Sequence, residues 1–153
     1  KLTPSEVTPY SNKKVWWRCH KNHEWEATVN HRNNGTGCPY CSGKKVCDDN
    51  CLAILNPKLA EEWHPTKNRN LTPRDVTTGS NKKVWWLCNR GHKWEASIAH
   101  RNDGTGCPYC SNKAACFANC LEVINPKLAK EWHPTKNRNL TPRDVTNGSD
   151  KKV

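Results

Sequence analysis

Residues 84–94 read Val-Trp-Trp-Leu-Cys-Asn-Arg-Gly-His-Lys-Trp, and residues 106–110 read Gly-Cys-Pro-Tyr-Cys. Three residues separate the Cys and the His of the first stretch, and two separate the cysteines of the second. Such spacing is typical of a tetrahedral zinc site with two ligands from each end of a hairpin. The arrangement occurs twice, which predicts two structural Zn²⁺ ions, one per complete repeat. The predicted ligands are Cys19, His23, Cys38, Cys41, Cys88, His92, Cys107 and Cys110.

The composition limits the kind of fold. Only 34% of the 153 residues are apolar, and the mean hydropathy is -0.99, so there is little material for one large core. The sequence therefore predicts a small metal-stabilised α+β fold. Its tandem zinc-ribbon-like β-hairpin units each carry a short helix and form a repeat array.

The charge indicates the class of partner. A formal net charge of +11 attracts polyanions, so nucleic acid is the first partner to consider. No apolar run approaches the roughly 20 residues of a membrane span, and no signal peptide is recognisable. We therefore expect no membrane partner. Because cysteines that hold metal must stay reduced, we also expect an intracellular, reducing compartment: nucleus, cytoplasm or virion.

An internal duplication organises the chain. Trp16 aligns with Trp85 at an offset of 69 residues that holds throughout, and Glu62–Thr77 recurs letter for letter as Glu131–Thr146. We predict that residues 1–15 are the C-terminal part of a preceding repeat. Residues 16–84 then form repeat 1 and residues 85–153 form repeat 2, which ends where a further repeat would begin. The chain starts within a repeat and without Met, so we expect a longer parent protein with more copies.

Local patterns place the elements of one repeat. Residues 82–87 and 94–99 have the composition and alternation of two strands that pair as a hairpin, and residues 100–106 read as a turn. Residues 125–132 predict a short helix with an Asn N-cap and Pro at its first position. Thr72–Asp75 and its two counterparts resemble a capping box that opens one more helical turn.

Alternatives remain for the metal ligands. A disulfide or a pair of buried thiols is the alternative for the cysteines of each Cys-Pro-Tyr-Cys motif, and a surface or core position is the alternative for His23 and His92. A second pair of cysteines in each copy exceeds what one tetrahedral ion takes; these are Cys47, Cys51, Cys116 and Cys120. Cys51 and Cys120 read as small buried apolar residues, with a second metal or a disulfide as the alternatives.

The surface residues point to nucleic acid. One Trp of each Trp-Trp pair is predicted in the core, beside Trp25 and Trp63, and the other is exposed next to paired lysines, where it can stack on a base. Packing between repeats is the alternative, and a solvated face is the alternative for the basic loops. The predicted nucleic-acid contacts are Lys13, Lys14, Trp16, Arg32, Lys67, Arg69, Arg74, Lys82, Lys83, Trp85, Arg101, Lys136, Arg138 and Arg143.

At these motifs the chain resembles a family of probable zinc-ribbon repeats. The shared patterns are Asn-Pro-x-Leu-Ala-x-Glu-Trp-His-Pro-Thr-Lys-Asn, Leu-Thr-Pro, Ser-Asn-Lys-Lys-Val-Trp-Trp-x-Cys, Gly-His-x-Trp-Glu-Ala and Gly-Cys-Pro-Tyr-Cys, and they cover essentially all residues. The resemblance implies tandem zinc-binding units of viral and microbial proteins, sometimes beside nuclease-like domains. The first copy departs from the pattern, because Asn22 replaces the Gly before the ligand His.

Together these observations predict a non-catalytic module that binds double-stranded DNA, in a monomeric array that addresses a larger protein, such as one with a nuclease-like domain. It is not expected to be an enzyme, since four soft ligands close the zinc shell to water. RNA is one alternative, and a structural or protein-interaction array is another. A secreted disulfide protein is the third, with glycosylation acceptors at Asn34, Asn70 and Asn139.

Overall fold

Two β-hairpins form the framework of the chain. The computed structural model describes residues 2–150, so the outer ends of the predicted first and last segments, at residues 1 and 151–153, lie outside the described residues. Each hairpin is antiparallel, with the tryptophan pairs Trp17–Trp25 and Trp86–Trp94 directly opposite each other. The strands are β1 (Lys14–Arg18), β2 (Glu24–Thr28), β3 (Lys83–Leu87) and β4 (Lys93–Ser97). The predicted hairpin is thus confirmed in both copies.

Short helices follow the hairpins and fill the segments between them. Six α-helices lie within residues 2–150, and two 3-10 turns cover Pro4–Glu6 and Pro73–Asp75. Among residues 2–150, none of the helices is long and apolar enough to cross a membrane. The helices are α1 (Val29–Asn33), α2 (Leu52–Leu55), α3 (Pro57–Glu61), α4 (Ile98–Asn102), α5 (Leu121–Ile124) and α6 (Pro126–Ala129).

Helix α4 corrects one prediction. The stretch 100–106 was expected to be a turn after a strand that reaches residue 99, but the strand ends at Ser97 and residues 98–102 are helical. The Ser97 hydroxyl accepts a hydrogen bond from the His100 N–H and caps the helix, and Ile98 is fully buried on its inner side. The turn begins only after the helix, where Gly104 has a φ of +91°.

Caps predicted from sequence are present where the helical segments begin. The Asn56 and Asn125 side chains accept hydrogen bonds from the Leu59 and Leu128 N–H groups, each followed by the Pro that starts the helix. The Thr72 N–H donates to Asp75 Oδ2 over 2.8 Å, closing the expected capping box. These side chains satisfy backbone groups that have no partner within so short a helix.

The main core joins a helical segment to the hairpin that follows it. We call residues 51–77 the central helical segment and residues 120–146 the C-terminal helical segment. In the central one, Leu52, Leu59 and Val76 pack against Trp86 and Ile98. This core crosses the predicted repeat boundary between residues 84 and 85, which lies within β3; the boundaries themselves remain a prediction.

Trp63 belongs to this core and not to the first hairpin. Its ring meets that of Trp86 edge-on, with centroids 5.5 Å apart, whereas it was expected beside Trp25. Trp86 is 0% exposed and is the largest of the fully buried side chains in residues 2–150. A helical segment therefore packs on the hairpin downstream of it, a relationship that spacing within one repeat does not reveal.

Candidate metal centres

The turn of each hairpin carries the first two ligands. Cys88 follows β3, and the turn closes through hydrogen bonds from Cys88 N–H to His92 O (3.1 Å) and from Gly91 N–H to Cys88 O (2.9 Å). Gly91 has a φ of +80°, and Asn22 at the same place in the first hairpin has +62°. Asn is the residue besides Gly that tolerates this conformation best, so the departure from Gly in the first copy preserves the turn.

The second two ligands lie in the Cys-Pro-Tyr-Cys turn after α1 or α4. An asparagine downstream holds this turn in place: the Asn119 side chain donates to Tyr109 O (2.9 Å) and Ala114 O (3.0 Å). Asn50 repeats both contacts, donating to Tyr40 O and to Lys45 O, each at 2.8 Å. The tyrosine ring in turn packs on the ligand histidine, with centroids 5.2–5.3 Å apart in the two copies. Sequence analysis missed both asparagines, although they recur in register.

The four predicted ligands of the first site converge on one point. Their ligand atoms all lie within 4.8 Å of one another. His23 Nδ1 is 3.5 Å from the Sγ of Cys19, 3.6 Å from that of Cys38 and 3.4 Å from that of Cys41. The Sγ atoms of Cys19 and Cys41 are 3.7 Å apart, far beyond the about 2.05 Å of a disulfide.

The second site repeats this geometry. His92 Nδ1 is 3.4, 3.6 and 3.3 Å from the Sγ atoms of Cys88, Cys107 and Cys110, and the Sγ atoms of Cys88 and Cys110 are 3.8 Å apart. A tetrahedral ion with Zn–S near 2.3 Å and Zn–N near 2.0 Å requires edges of about 3.8 Å between sulfurs and about 3.5 Å from sulfur to nitrogen. Donor type and spacing both fit, so the two clusters accommodate two structural zinc ions.

Comparison with known proteins agrees with this geometry. A family described as "Probable Treble clef zinc finger domain" matches residues 1–44, 59–113 and 128–153. The chain belongs to this family. The central match, residues 59–113, takes in most of the central helical segment and the zinc hairpin after it, which are the parts joined in the main core.

Two curated relatives come from a phage and a prophage. A "Putative endonuclease" of Escherichia phage T5 is 29% identical over 103 residues, covering 65% of this chain and 32% of that protein. The "SPbeta prophage-derived uncharacterized protein YomD" of Bacillus subtilis (strain 168) is 25% identical over 113 residues, covering 74% of this chain and 39% of that protein. The chain thus spans well under half the length of either relative.

Crowding of thiols shifts their proton affinity within each site. Desolvation, followed by the neighbouring thiols of Cys19 and Cys38, raises the pKa of Cys41 to about 11. Desolvation also acts to raise the pKa of Cys19, but the backbone N–H groups of Lys21 and His23 outweigh it and lower that pKa to about 7. In the second site the pKa of Cys110 is likewise raised to about 11 and the pKa of Cys88 is lowered. Each site therefore combines a thiol of lowered pKa with one of raised pKa that ionises only beside a cation.

The far nitrogen of each ligand histidine has contacts of its own. His23 Nε2 lies 3.3 Å from Asp49 Oδ1 and 3.7 Å from Cys47 Sγ. In the second site His92 Nε2 lies 3.6 Å from Cys116 Sγ. Cys47 and Cys116 were left without a role in the sequence analysis, because each lies 24 positions from its histidine and so gives no local signal.

The other two cysteines are core residues. Cys51 and Cys120 are each 1% exposed, directly before the buried Leu52 and Leu121. Both are free thiols, as are the remaining eight cysteines of the chain. Their burial agrees with the interpretation of small apolar residues, and they are less exposed than even the buried ligands Cys38, Cys88 and Cys107, at 7–8%.

Most of the predicted nucleic-acid contacts are solvent-exposed. Trp16 is 71% exposed. Arg32 is half-buried, with its guanidinium 5.1 Å above the Trp17 ring and 5.4 Å above the Trp25 ring. Arg143 is exposed and forms an ion pair with Glu122. The other exposed basic positions are Lys13, Lys14, Lys67, Arg69, Arg74, Lys82, Lys83, Lys136 and Arg138.

Two of the predicted contacts are not available as expected. Arg101 is 7% exposed, and its Nη2 lies 2.5 Å from Glu62 Oε2, so its charge is already paired within the core. Trp85 is half-buried under the Lys67 ammonium group, which lies 3.6 Å from the ring centroid. Packing of the central helical segment on β3 explains both: Arg101 is buried within the core, and Lys67 covers one face of the Trp85 ring.

Proposed function

We propose that this chain is a non-catalytic nucleic-acid-binding array and that double-stranded DNA is its preferred partner. The observation that carries the proposal is the recurrence of exposed lysines and arginines at equivalent places on the two zinc-binding units. A net charge of +11 adds long-range attraction for the phosphate backbone.

The lysine pairs before β1 and β3 are the strongest candidates. Lys82 and Lys83 are exposed, and Lys83 starts β3, whose pairing with Ser97 on β4 fixes its position. Lys13 and Lys14 repeat this placement in the first hairpin. A flexible ammonium group on a fixed backbone suits contact with phosphate oxygens, which carry no sequence information.

The arginine loops of the helical segments are the second candidates. Arg69 and Arg138 adopt φ values of +54° and +55°, unusual for a residue other than Gly, and both side chains are exposed. This turn projects each arginine away from the core. With one face of Trp85 covered by Lys67, we propose contacts to the backbone more than stacking on bases, and hence weak sequence preference.

The comparisons support this class of partner. Zinc fingers commonly present basic residues to nucleic acid, and one relative carries the name "Putative endonuclease". Since the chain matches 32% of that protein, we propose that such units hold a larger protein on its nucleic acid while chemistry takes place elsewhere. Four protein ligands at each zinc leave no position for a reacting water. We further propose an intracellular, reducing compartment, which keeps the thiols free.

Binding of the zinc-loaded chain to labelled duplex DNA at several salt concentrations tests the proposal. We expect log K to fall linearly with log salt, and K82A/K83A to reduce the slope by about two. K44A/K45A removes the same charge from an exposed loop outside the predicted contacts and should change the slope less. The same titration with an RNA duplex and with single strands of the same sequence shows whether the chain prefers DNA over RNA and double over single strands. No binding to any of these at low salt would reject the proposal in favour of a structural or protein-interaction array.

A further inference from the structure

The outward face of the second hairpin carries positive charge in the middle of the chain. Side chains alternate along a strand, so Trp85 and Leu87 lie on the face opposite the buried Trp86. Lys93 stands directly across from Leu87 on β4 and therefore lies on this outward face too. Helical segments precede and follow this hairpin in the sequence, so its surroundings are those of an internal unit.

The central helical segment places a histidine beside this face. The His64 N–H donates to Trp85 O over 3.0 Å, which holds residue 64 against the free edge of β3. The His64 ring accepts hydrogen bonds at Nδ1 from the N–H groups of Thr66 and Lys67, each over 3.3 Å. Because Nδ1 is an acceptor in this network, the proton of the neutral ring is assigned to Nε2. Nε2 is therefore a hydrogen-bond donor.

The Nε2–H of His64 is a buried donor without an acceptor. His64 is 5% exposed, and within residues 2–150 no hydrogen-bond partner reaches its Nε2. The two other buried atoms of this kind belong to Arg32 and Arg101, whose guanidinium groups donate through another nitrogen. His64 has no second donor. A native structure seldom keeps such a group unless a ligand, an ion or a water molecule satisfies it.

Two lysines bring positive charge to the same place. The Lys67 ammonium group lies 3.6 Å from the centre of the Trp85 ring, and Lys93 is exposed at the start of β4. Burial, and after it the charges of Lys93 and Lys67, lower the pKa of His64, so the ring is neutral at neutral pH. None of the ion pairs in the described part of the chain involves either lysine.

These three groups define the chemistry of a ligand. A neutral Nε2–H and two ammonium groups offer only donors, so none of them can satisfy another. A ligand must therefore supply acceptor atoms and negative charge together. A phosphate group does both, and each of its terminal oxygens can accept more than one charge-assisted hydrogen bond.

We propose that His64, Lys67 and Lys93 form a binding site for one phosphate group of a nucleic-acid backbone. The inference rests on the proposed function and adds His64 and Lys93 to the contacts predicted from sequence. The His64 ring is held by its own loop, so its Nε2–H sets the position of a phosphate oxygen. The lysine side chains are flexible and exposed, so they can turn aside to admit the phosphate and then contact it.

A lysine further along the same face favours a polymer over a single small anion. Lys83 stands opposite Ser97, which lies four residues beyond Lys93 on β4, or about 13 Å along the strand. Each strand of a duplex carries a phosphate about every 3.4 Å along its axis, so one backbone can supply phosphates at both ends of the hairpin.

The first hairpin has a different residue at the key position. Glu24 replaces Lys93, and Arg18 replaces Leu87. These two residues pair with each other, with Arg18 Nη2 2.6 Å from Glu24 Oε1. A carboxylate at this position repels phosphate, and it neutralises the nearest arginine. The site therefore belongs to the second hairpin, and the two units contact nucleic acid differently.

Nuclear magnetic resonance of the zinc-loaded full chain tests the site itself. Titration with inorganic phosphate at neutral pH should shift the nitrogen and proton signals of the His64 Nε2–H group, because an acceptor then binds the donor. Sodium acetate at the same ionic strength is the control and should shift them much less. An equal response to acetate would overturn the choice of phosphate as the ligand.

Binding to labelled duplex DNA tests the source of the phosphate. K93E gives the second hairpin the residue of the first and should weaken binding by about tenfold or more. K44E makes the same charge change on an exposed loop outside the site and should weaken binding far less.

The contribution of the histidine is tested by H64N. Asn keeps an acceptor for the Thr66 and Lys67 N–H groups but removes the Nε2–H. We expect binding to duplex DNA to weaken by about tenfold, the value of one hydrogen bond to a charged group. H133N makes the same change in the C-terminal helical segment and should have little effect. Zinc content and the circular dichroism of the tryptophans should match those of the parent chain in every variant.

Failure of the site and failure of the proposed function give different results. If the parent chain binds duplex DNA but K93E weakens binding no more than K44E, the site is overturned and the proposed function stands. The same holds if inorganic phosphate leaves the His64 signals unmoved. If the parent chain binds no nucleic acid at low salt, the proposed function is rejected and the site is overturned as a nucleic-acid contact.

Discussion

His23 Nε2 lies 3.3 Å from Asp49 Oδ1, while Nδ1 of the same ring faces the three cysteines of the first zinc site. A carboxylate on the free N–H of a ligand histidine fixes the tautomer and the direction of the ring and increases its donor strength. At the corresponding position of the second site stands Ala118. The two zinc sites therefore share ligands but differ in the support of the histidine.

From this relationship we expect D49A to weaken zinc binding at the first site by about tenfold or more. The matched variant A118D supplies a carboxylate near His92 and should strengthen binding at the second site. Competition with a coloured chelator, which resolves the release of each ion, measures both effects. Release curves for D49A that superimpose on those of the parent chain would show that Asp49 does not support the site.

Removal of zinc should unfold the hairpins. Two ions per chain are expected by elemental analysis, and a strong chelator should abolish the near-ultraviolet circular dichroism of the packed tryptophans. The reason is that a structural zinc in a small domain contributes about 10–16 kcal/mol of apparent binding free energy, far more than so small a core supplies. Return of zinc is the control and should restore the signal. A folded, metal-free chain would contradict this expectation.

Zinc affinity should fall as the pH falls. Binding needs thiolates, and the pKa of Cys41 and of Cys110 is raised to about 11, so both are protonated at neutral pH and must release a proton to the solvent. The pKa of Cys19 is about 7, so its proton competes increasingly below that pH. Zinc titrations at about pH 6 and about pH 8, with calorimetry in buffers of different ionisation enthalpy, measure this release. Equal affinity at the two pH values would contradict it.

Two identical leucines provide a matched test of packing. Leu59 is 6% exposed in the main core and Leu128 is 46% exposed in the C-terminal segment. We expect L59A to lower the free energy of unfolding by about 2–5 kcal/mol through the cavity it leaves. L128A should lower it by less than about 1 kcal/mol. Denaturant unfolding of the zinc-loaded chain at low protein concentration, followed by tryptophan fluorescence, compares the two. Equal losses would show that the two segments are packed alike.

Some features were predictable from sequence because they depend on neighbours along the chain. The spacing of Cys88 and His92 sets two ligands across a tight turn, and the positive φ at Gly91 or Asn22 follows from that turn. The Asn125 cap and the Thr72 capping box likewise need only three or four residues. The hairpins, the two ligand clusters and the family follow from such local patterns and their repetition.

Other features depend on contacts between distant segments. Sequence analysis placed Trp63 with the wrong hairpin and Arg101 on the surface, because neither a Trp nor an Arg signals which distant segment covers it. Helix α4 was missed because Ile98 fits both a strand and a helix, and burial against Trp86 decides between them.

The sequence alone determined the repeat, the ligand pairs and the turns that hold them, because each arises from steric and bonding rules within a few residues. Only the tertiary structure decided that a helical segment packs on the hairpin downstream of it, which buries Arg101 and covers one face of Trp85. The physical reason is that apolar burial has no direction along the chain. Its outcome depends on which surfaces meet, so the same residues are core in the centre of this chain and open at either side of it.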